Sequence, residues 1–361
     1  MKVLNLMGMS STKFGGIEKF NMEMIQQGVD MAVVYDSKPL SSHYISLMKT
    51  YGVPLYVCDS SNLFSIFNLL RIIIRESPNI IHYHFSGIVY YMISIFVTVC
   101  LPGIKQIHTI HCEPVKYKGL RGILSKLFYR CQDQIIAVSS GVYDGFIQLF
   151  GTKYNISVSY LGVQRGQVKH NNLREMLKIK PNTVVITSIG WDIHIKGYDV
   201  LLESIARLIE TGIRNGFILI IIGLPEKEEK ALKVLIAEHK LDNLCLSVGI
   251  REDVDEFLNI TDIYVQPSRT EAISLSIMEA LQYGIPIIGS DVGGIPEVCI
   301  NHHNGLLFEN KNVDDLYNKL KYLIASPEVR DKFSANSYEL SKQFLRPERV
   351  KSLKRIYEGL L

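Results

Sequence analysis

The chain alternates short, continuous apolar runs with helix-periodic stretches, and it does so twice. Apolar runs fall at 3–7, 31–35, 54–58, 79–84, 105–110 and 134–138, separated by helical patterns such as Glu18 to Gln27 and Phe64 to Arg75. The pattern restarts at Thr183 to Ile189 and continues through 217–222, 244–248, 263–266, 285–289 and 305–308. Strands that are apolar along their whole length, rather than at alternate positions, are buried on both faces. Interleaved with helices, they predict an α/β chain of two Rossmann-like domains facing a cleft, each built on a parallel sheet. A length of 361 residues suffices for two such cores. The polar stretch from Leu161 to Asn172 lacks periodicity and is read as the linker. Open parallel sheets bind ligands beyond the C-terminal ends of their strands, so functional residues are sought there.

Charge is unevenly spread. Counting lysine and arginine against aspartate and glutamate, residues 1–170 hold 16 and 9, or +7, while residues 171–361 hold 23 and 27, or −4. A basic N-terminal half fits an anionic partner, either a phosphorylated ligand or an acidic membrane surface. One basic amphipathic stretch stands out: Lys116, Lys118, Arg121, Lys126 and Arg130 are interleaved with Tyr117, Leu120, Ile123, Leu124, Leu127 and Phe128. It reads equally as a membrane-surface helix that receives a lipid-borne ligand and as a surface helix packed on the sheet. No recognised nucleic-acid-binding module accompanies it, so no nucleic-acid partner is expected. Residues 85–104 hold no charged side chain before Lys105. That length approaches a membrane span, but its place between two strands calls for a crossover helix, read as buried with one face at a membrane surface.

The six cysteines lie without close pairs, which excludes a zinc ribbon or a Cys-x-x-Cys redox centre and points to a reduced, cytoplasmic protein. The apolar run after Lys2 is too short for a secretory signal and reads as the first strand.

The segment from Pro267 to Leu281 carries Glu271 and Glu279 eight positions apart. It reads as a loop carboxylate followed by a second about two turns into a helix, at nearly the same azimuth and about 12 Å further along the axis. That gap matches a sugar diphosphate. Glu271 can hold a sugar hydroxyl, the N–H groups of Ser274 and Leu275 at the helix start can meet phosphate, and Glu279 can accept from a ribose diol. Further candidates are Lys196 after the first strand of the second half, and Arg269, two residues before Glu271. His111 stands at a strand end, while His82, His84 and His108 alternate with apolar residues and read as core groups. Asp253 and Asp255 sit in an acidic stretch that reads as a helix first turn, not as a metal site.

Taken in order, Gly15-Gly16-Ile17-Glu18, Thr109-Ile110-His111, Ala137-Val138-Ser139-Ser140, Lys196-Gly197-Tyr198-Asp199 and the Glu271 to Glu279 segment resemble the retaining glycosyltransferases of GT-B architecture, family 4. The resemblance covers nearly the whole chain. It implies an acceptor domain at 1–165, a nucleotide-sugar domain at 166–345 and a last helix, 346–361, crossing back to the first domain. It implies hexose transfer from a nucleoside diphosphate sugar to a saccharide or lipid-linked saccharide, in cell-surface polysaccharide or glycolipid synthesis, at the inner face of the cell membrane. No metal or other cofactor is implied. Catalysis would involve His111, Lys196 and Glu271, and the donor would be held by Gly16, Lys196, Arg269, Glu271, Ser274, Leu275 and Glu279. The chain departs from the pattern at Trp191, where the resemblance implies a phosphate-facing arginine; either another cation substitutes, with Arg269 the nearer candidate and Arg251 the more distant one, or catalysis is weakened. Two rivals stand beside this reading: a sugar-nucleotide epimerase and a non-catalytic donor-binding partner subunit.

Overall fold

The computed structural model describes residues 1–10, 15–164 and 172–361. The chain divides into two compact units, Met1–Gly162 with Arg346–Leu361, and Val163–Leu345. The boundary expected between 165 and 166 lies outside the described residues.

In the first unit, strands β1 (Lys2–Leu6), β2 (Asp30–Tyr35), β3 (Leu55–Val57), β4 (Ile80–His84), β5 (Lys105–Ile110), β6 (Gln134–Ala137) and β7 (Ile156–Val158) form one parallel sheet. Its order is β3-β2-β1-β4-β5-β6-β7. Val3 on the central β1 is in register with Met31 on one side and Ile80 on the other. The strands are joined by α1 (Gly16–Gln26), α2 (Ser42–Thr50), α3 (Ser65–Glu76), α4 (Ile88–Cys100), α5 (Gly119–Arg130) and α6 (Ser140–Phe150). Chain progress reverses after β3, so right-handed crossovers place α1 and α2 on one face of the sheet and α3 to α6 on the other. α4 lies between α3 and α5.

The second unit repeats the scheme. Here α7 (Leu173–Met176) leads into β8 (Val184–Ile189), α8 (Tyr198–Glu210), β9 (Phe217–Ile222), α9 (Glu226–Glu238), β10 (Cys245–Ser247), α10 (Val254–Asn259) and β11 (Ile263–Gln266). Then come α11 (Leu275–Gln282), β12 (Ile287–Ser290), α12 (Ile295–Val298), β13 (Gly305–Phe308), α13 (Val313–Ala325) and α14 (Pro327–Ser341). The parallel sheet runs β10-β9-β8-β11-β12-β13. On α8, Leu201, Ile205 and Leu208 recur at helical spacing and are fully buried against β8 and β9, while Glu203 and Arg207 face water. Burying each of these side chains stabilises the unit by about 2 kcal/mol, and Ile205→Asp would break the layer.

The last helix, α15 (Arg346–Leu360), belongs to the first unit and packs against α1. Val350, Leu353 and Tyr357, spaced by three and four, enter that unit's core. β7 escaped the sequence reading because it is a three-residue strand with a serine at its centre. α4 is buried on one side only; Ile88, Met92 and Phe96 on its other side are exposed.

Candidate functional site

In the second unit the strand order reverses between β8 and β11, so the loops leaving these neighbours diverge and open a crevice at their C-terminal ends. Lys196 lies on the loop from β8 to α8, and Glu271 on the loop from β11 to α11. Their side chains meet, Lys196 Nζ donating to Glu271 Oε2 at 2.6 Å, with both groups largely shielded from water.

A chain of polar side chains stands behind Glu271. Tyr264 OH and Ser276 Oγ donate to Gln266 Oε1 at 2.8 and 3.0 Å, and Gln266 Nε2 donates to Ser268 Oγ at 2.8 Å. An amide nitrogen only donates, so the Ser268 hydroxyl accepts there and spends its own proton on Glu271 Oε2, at 3.2 Å. Ser290 Oγ donates to the Ser268 carbonyl at 2.6 Å, tying the end of β12 to the same loop. Gln266, Ser268 and Ser290 are fully buried. The sequence reading missed Gln266 and Ser268; the available signal was a polar pair ending an otherwise apolar strand.

Two glycines make the close approach possible. Gly197, at φ +65°, lies so near the end of β11 that a Cβ there would fall 2.0 Å from the Pro267 carbonyl oxygen. Gly293, at φ +50°, would place a Cβ 1.8 Å from the Glu271 carbonyl oxygen, and Gly294 N–H donates to that same oxygen at 3.0 Å. Lys196 and Glu271 are therefore held through backbone contacts.

α11 begins at Leu275, with Ser274 as its N-cap accepting from Ile277 N–H at 3.3 Å. Glu279 thus lies just over one turn into the helix, short of the two turns expected. The first-turn N–H groups of a helix have no intrahelical partner and favour an anion.

In the first unit, Gly15 N–H donates to Glu18 Oε2 at 3.1 Å and α1 starts at Gly16. Residues 11–14 just before this turn lie outside the described residues. His111 follows β5, with its Nε2 2.8 Å from His84 Nδ1 and its ring stacked on Phe85 at 4.6 Å. His82 bonds Tyr357 OH of α15 at 2.6 Å and Thr109 Oγ1 at 2.7 Å. Burial, with the neighbouring imidazoles, holds His82 and His84 well below the usual histidine range. Burial and the charge of His108 push His111 down to about 3. His111 is thus a neutral hydrogen-bonding group. It lines a small, mostly apolar concavity in which Asn5, Asn21, His84 and Thr109 stand among Phe20, Met24 and Ile136.

The model for "Glycosyltransferase Family 4" matches residues 15–166, and that for "Glycosyl transferases group 1" matches residues 169–340. The chain belongs to the group 1, family 4 glycosyltransferases. An uncharacterized glycosyltransferase of Methanocaldococcus jannaschii is 30% identical over 46% of this chain, a match spanning only 45% of that protein's length. The Escherichia coli UDP-Gal:alpha-D-GlcNAc-diphosphoundecaprenol alpha-1,3-galactosyltransferase is 25% identical over 79% of this chain and 77% of its own. In fold, the Anabaena HepE structure in complex with UDP superposes with a TM-score of 0.84 at 18% identity, covering 99% of this chain and all of that one. The architecture is GT-B.

Within this glycosyltransferase, Trp191 is 53% exposed and supplies no cation next to Gly190. Arg269 has a different engagement from the one expected. It donates twice to Asp199, at 2.8 and 2.5 Å, and to the His194 carbonyl at 2.6 Å. Although burial opposes ionisation of Asp199, the Arg269 hydrogen bonds and charge hold its carboxyl below the usual range. With its N–H on the Ile195 carbonyl as well, Arg269 braces the Lys196 loop against the Glu271 loop. Its charge is spent on Asp199, which the sequence reading named only within a motif. Asp253 is taken up by Arg251 at 2.8 and 2.5 Å, at the start of α10. Lys116 and Lys118 precede α5, and Arg121, Lys126 and Arg130 are exposed along it.

Proposed function

We propose that the chain is a retaining transferase that moves a hexose from a nucleoside diphosphate sugar to a saccharide or lipid-linked saccharide. The observation that carries this reading is the shielded Lys196–Glu271 pair at the strand-order reversal of the second unit, beside the N-terminus of α11. As the anomeric C–O bond breaks, charge builds on the departing diphosphate. The Lys196 ammonium and the first-turn N–H groups of α11 are the donors placed to stabilise it. Lysine has three N–H donors, so one can stay on Glu271 while others face phosphate. Glu271, fixed by Ser268 and Lys196, takes a sugar hydroxyl, and Glu279 takes the ribose diol. The acceptor oxygen bonds the anomeric carbon on the face the diphosphate leaves, and its proton passes to the departing phosphate oxygen. Neutral His111 offers a hydrogen bond to a hydroxyl.

The UDP bound to HepE and the UDP-Gal in the name of the E. coli relative make UDP-hexoses the first donors to test. No metal or other cofactor is proposed. The anomeric configuration of the product, read by NMR, decides the stereochemistry: retention supports the reading and inversion overturns it. A donor-binding subunit without turnover is a second reading, favoured by Trp191 in place of a cation; donor hydrolysis by the isolated chain would exclude it.

A further inference from the structure

We propose that α3, α4 and α5 form one docking face for a bilayer surface rich in anionic lipid. α4 lies between the other two and contains no charged residue. Its inner side buries Val89, Tyr90, Ile93 and Val97, yet its outer side shows Ile88, Met92, Phe96 and Val99 to water, at spacings of four, four and three. A helix that packs on a sheet and faces water is ordinarily charged outward.

The flanking helices extend the surface. On α3 and just before it, Phe64 and Phe67 are 78% and 64% exposed, with Arg71 and Arg75 on the same outer stripe. On α5, exposed Leu120 and Ile123 stand among Arg121, Lys126 and Arg130. Scattered exposed apolar residues are ordinary, but a contiguous set on three packed helices marks an interaction surface.

Charge selects the occupant. Residues 60–132 hold eight lysines and arginines and two acidic residues, Glu76 and Glu113. Glu76 is buried and paired chiefly with Lys2 at 2.7 Å, with Arg75 at 3.9 Å, so it offsets little of the outward charge. An apolar stripe flanked by cations fits lipid headgroups and the acyl boundary beneath them. A second copy of the same face would meet it with like charge. α4 has 13 residues, about 20 Å of helix, and lies on the bilayer because it is too short to cross the roughly 30 Å hydrocarbon core. Among the described residues no helix is long and apolar enough to cross.

The face begins beside the concavity of the first unit that His111 lines. Ile88 is three residues from Phe85, whose ring stacks on His111. A lipid-linked acceptor held by α4 would thus present its head group near His111. This last point rests on the transferase reading; the surface itself does not.

The test is co-sedimentation of the full chain with vesicles of phosphatidylcholine alone and of phosphatidylcholine and phosphatidylglycerol in equal parts, at low and high salt. Wild type is expected on the anionic vesicles only, with binding lost at high salt. Met92→Ser with Phe96→Ser should weaken binding roughly tenfold or more, and Lys126→Glu with Arg130→Glu roughly thirtyfold at low salt. Both double variants should melt like wild type, since all four side chains point outward. No binding to anionic vesicles, equal binding to neutral ones, or unchanged binding by both variants overturns the proposal. So does a wild-type dimer that Met92→Ser with Phe96→Ser converts to monomer. Donor hydrolysis is measured separately, so failure of the surface and failure of the transferase reading are distinguishable.

Discussion

Lys196 and Glu271, 75 positions apart in the chain, meet at 2.6 Å where the loops of two neighbouring strands diverge. β8 and β11 bring the loops together, and Gly197 and Gly293 let the backbones close. Neither charge has bulk water as its main partner. Removing one would leave the other shielded and unpaired, at a cost on the order of 3 kcal/mol.

The glycine contact is the most local test. At Gly197, alanine adds a Cβ in the left-handed region and against the Pro267 carbonyl, with no flexible atom to yield. Gly197→Ala should lose at least about 2 kcal/mol of stability in urea unfolding, from the left-handed conformation and the clash together. A variant as stable as wild type would show that the loops need not touch.

Arg269 separates a brace from a phosphate contact. With its guanidinium on Asp199, Arg269→Ala should cost about 1 to 2 kcal/mol of stability and shift donor Kd less than roughly threefold, well under 1 kcal/mol. Asp199→Ala should add little in the Arg269→Ala background. A donor Kd weakened more than about tenfold, or 1.4 kcal/mol, would mean that Arg269 leaves Asp199 for the diphosphate.

How much of this was legible in the sequence follows from the range of each interaction. Strands buried along nearly their whole length, such as Phe217–Ile222, announce themselves by an unbroken apolar run, and α15 by the helical spacing of Val350, Leu353, Ile356 and Leu360. Lys196 and Glu271 were legible one at a time, as polar residues just past strand ends. Their contact was not, since it is made by sheet order. Arg269 was assigned to the diphosphate because sequence proximity to Glu271 was the only measure at hand; its partner is 70 positions away, brought in by the start of α8. Gln266 and Ser268 were invisible as a relay, because hydrogen-bond direction is a property of geometry. For α4 the sequence reading placed one face at a membrane surface, but which side chains stand on it was not legible, because an apolar helix looks the same in sequence buried on one face or on two.

The buried histidines set the acid response. Burial, opposed by its bond to the Tyr83 carbonyl, brings His108 down to about 4, and burial with the nearby histidine charge takes His111 to about 3; His82 and His84 lie well below the ordinary value. In the unfolded chain each takes a proton near 6.5, so below that pH the unfolded state binds more protons and stability falls with acid. Each histidine contributes up to about 1.4 kcal/mol per pH unit between its unfolded and folded values. Urea unfolding should therefore show lower stability near pH 5 than near pH 7.5, and His84→Asn should flatten the dependence. Equal stability at both pH values would contradict the buried, neutral array.

Charge stabilisation by Lys196 and the α11 N–H groups needs no divalent ion, so turnover should persist in excess chelator. Loss of activity on chelation, restored by magnesium or manganese, would mean that an ion shares that task.

The most direct measurement is donor turnover: binding and slow hydrolysis of a panel of nucleoside diphosphate hexoses by wild type, Lys196→Ala and Glu279→Ala. The account predicts that one donor binds and releases its diphosphate. It predicts that Lys196→Ala lowers kcat roughly 10² to 10³-fold, and that Glu279→Ala chiefly weakens donor binding. Binding of no donor in the panel, or undiminished turnover by Lys196→Ala, would contradict it.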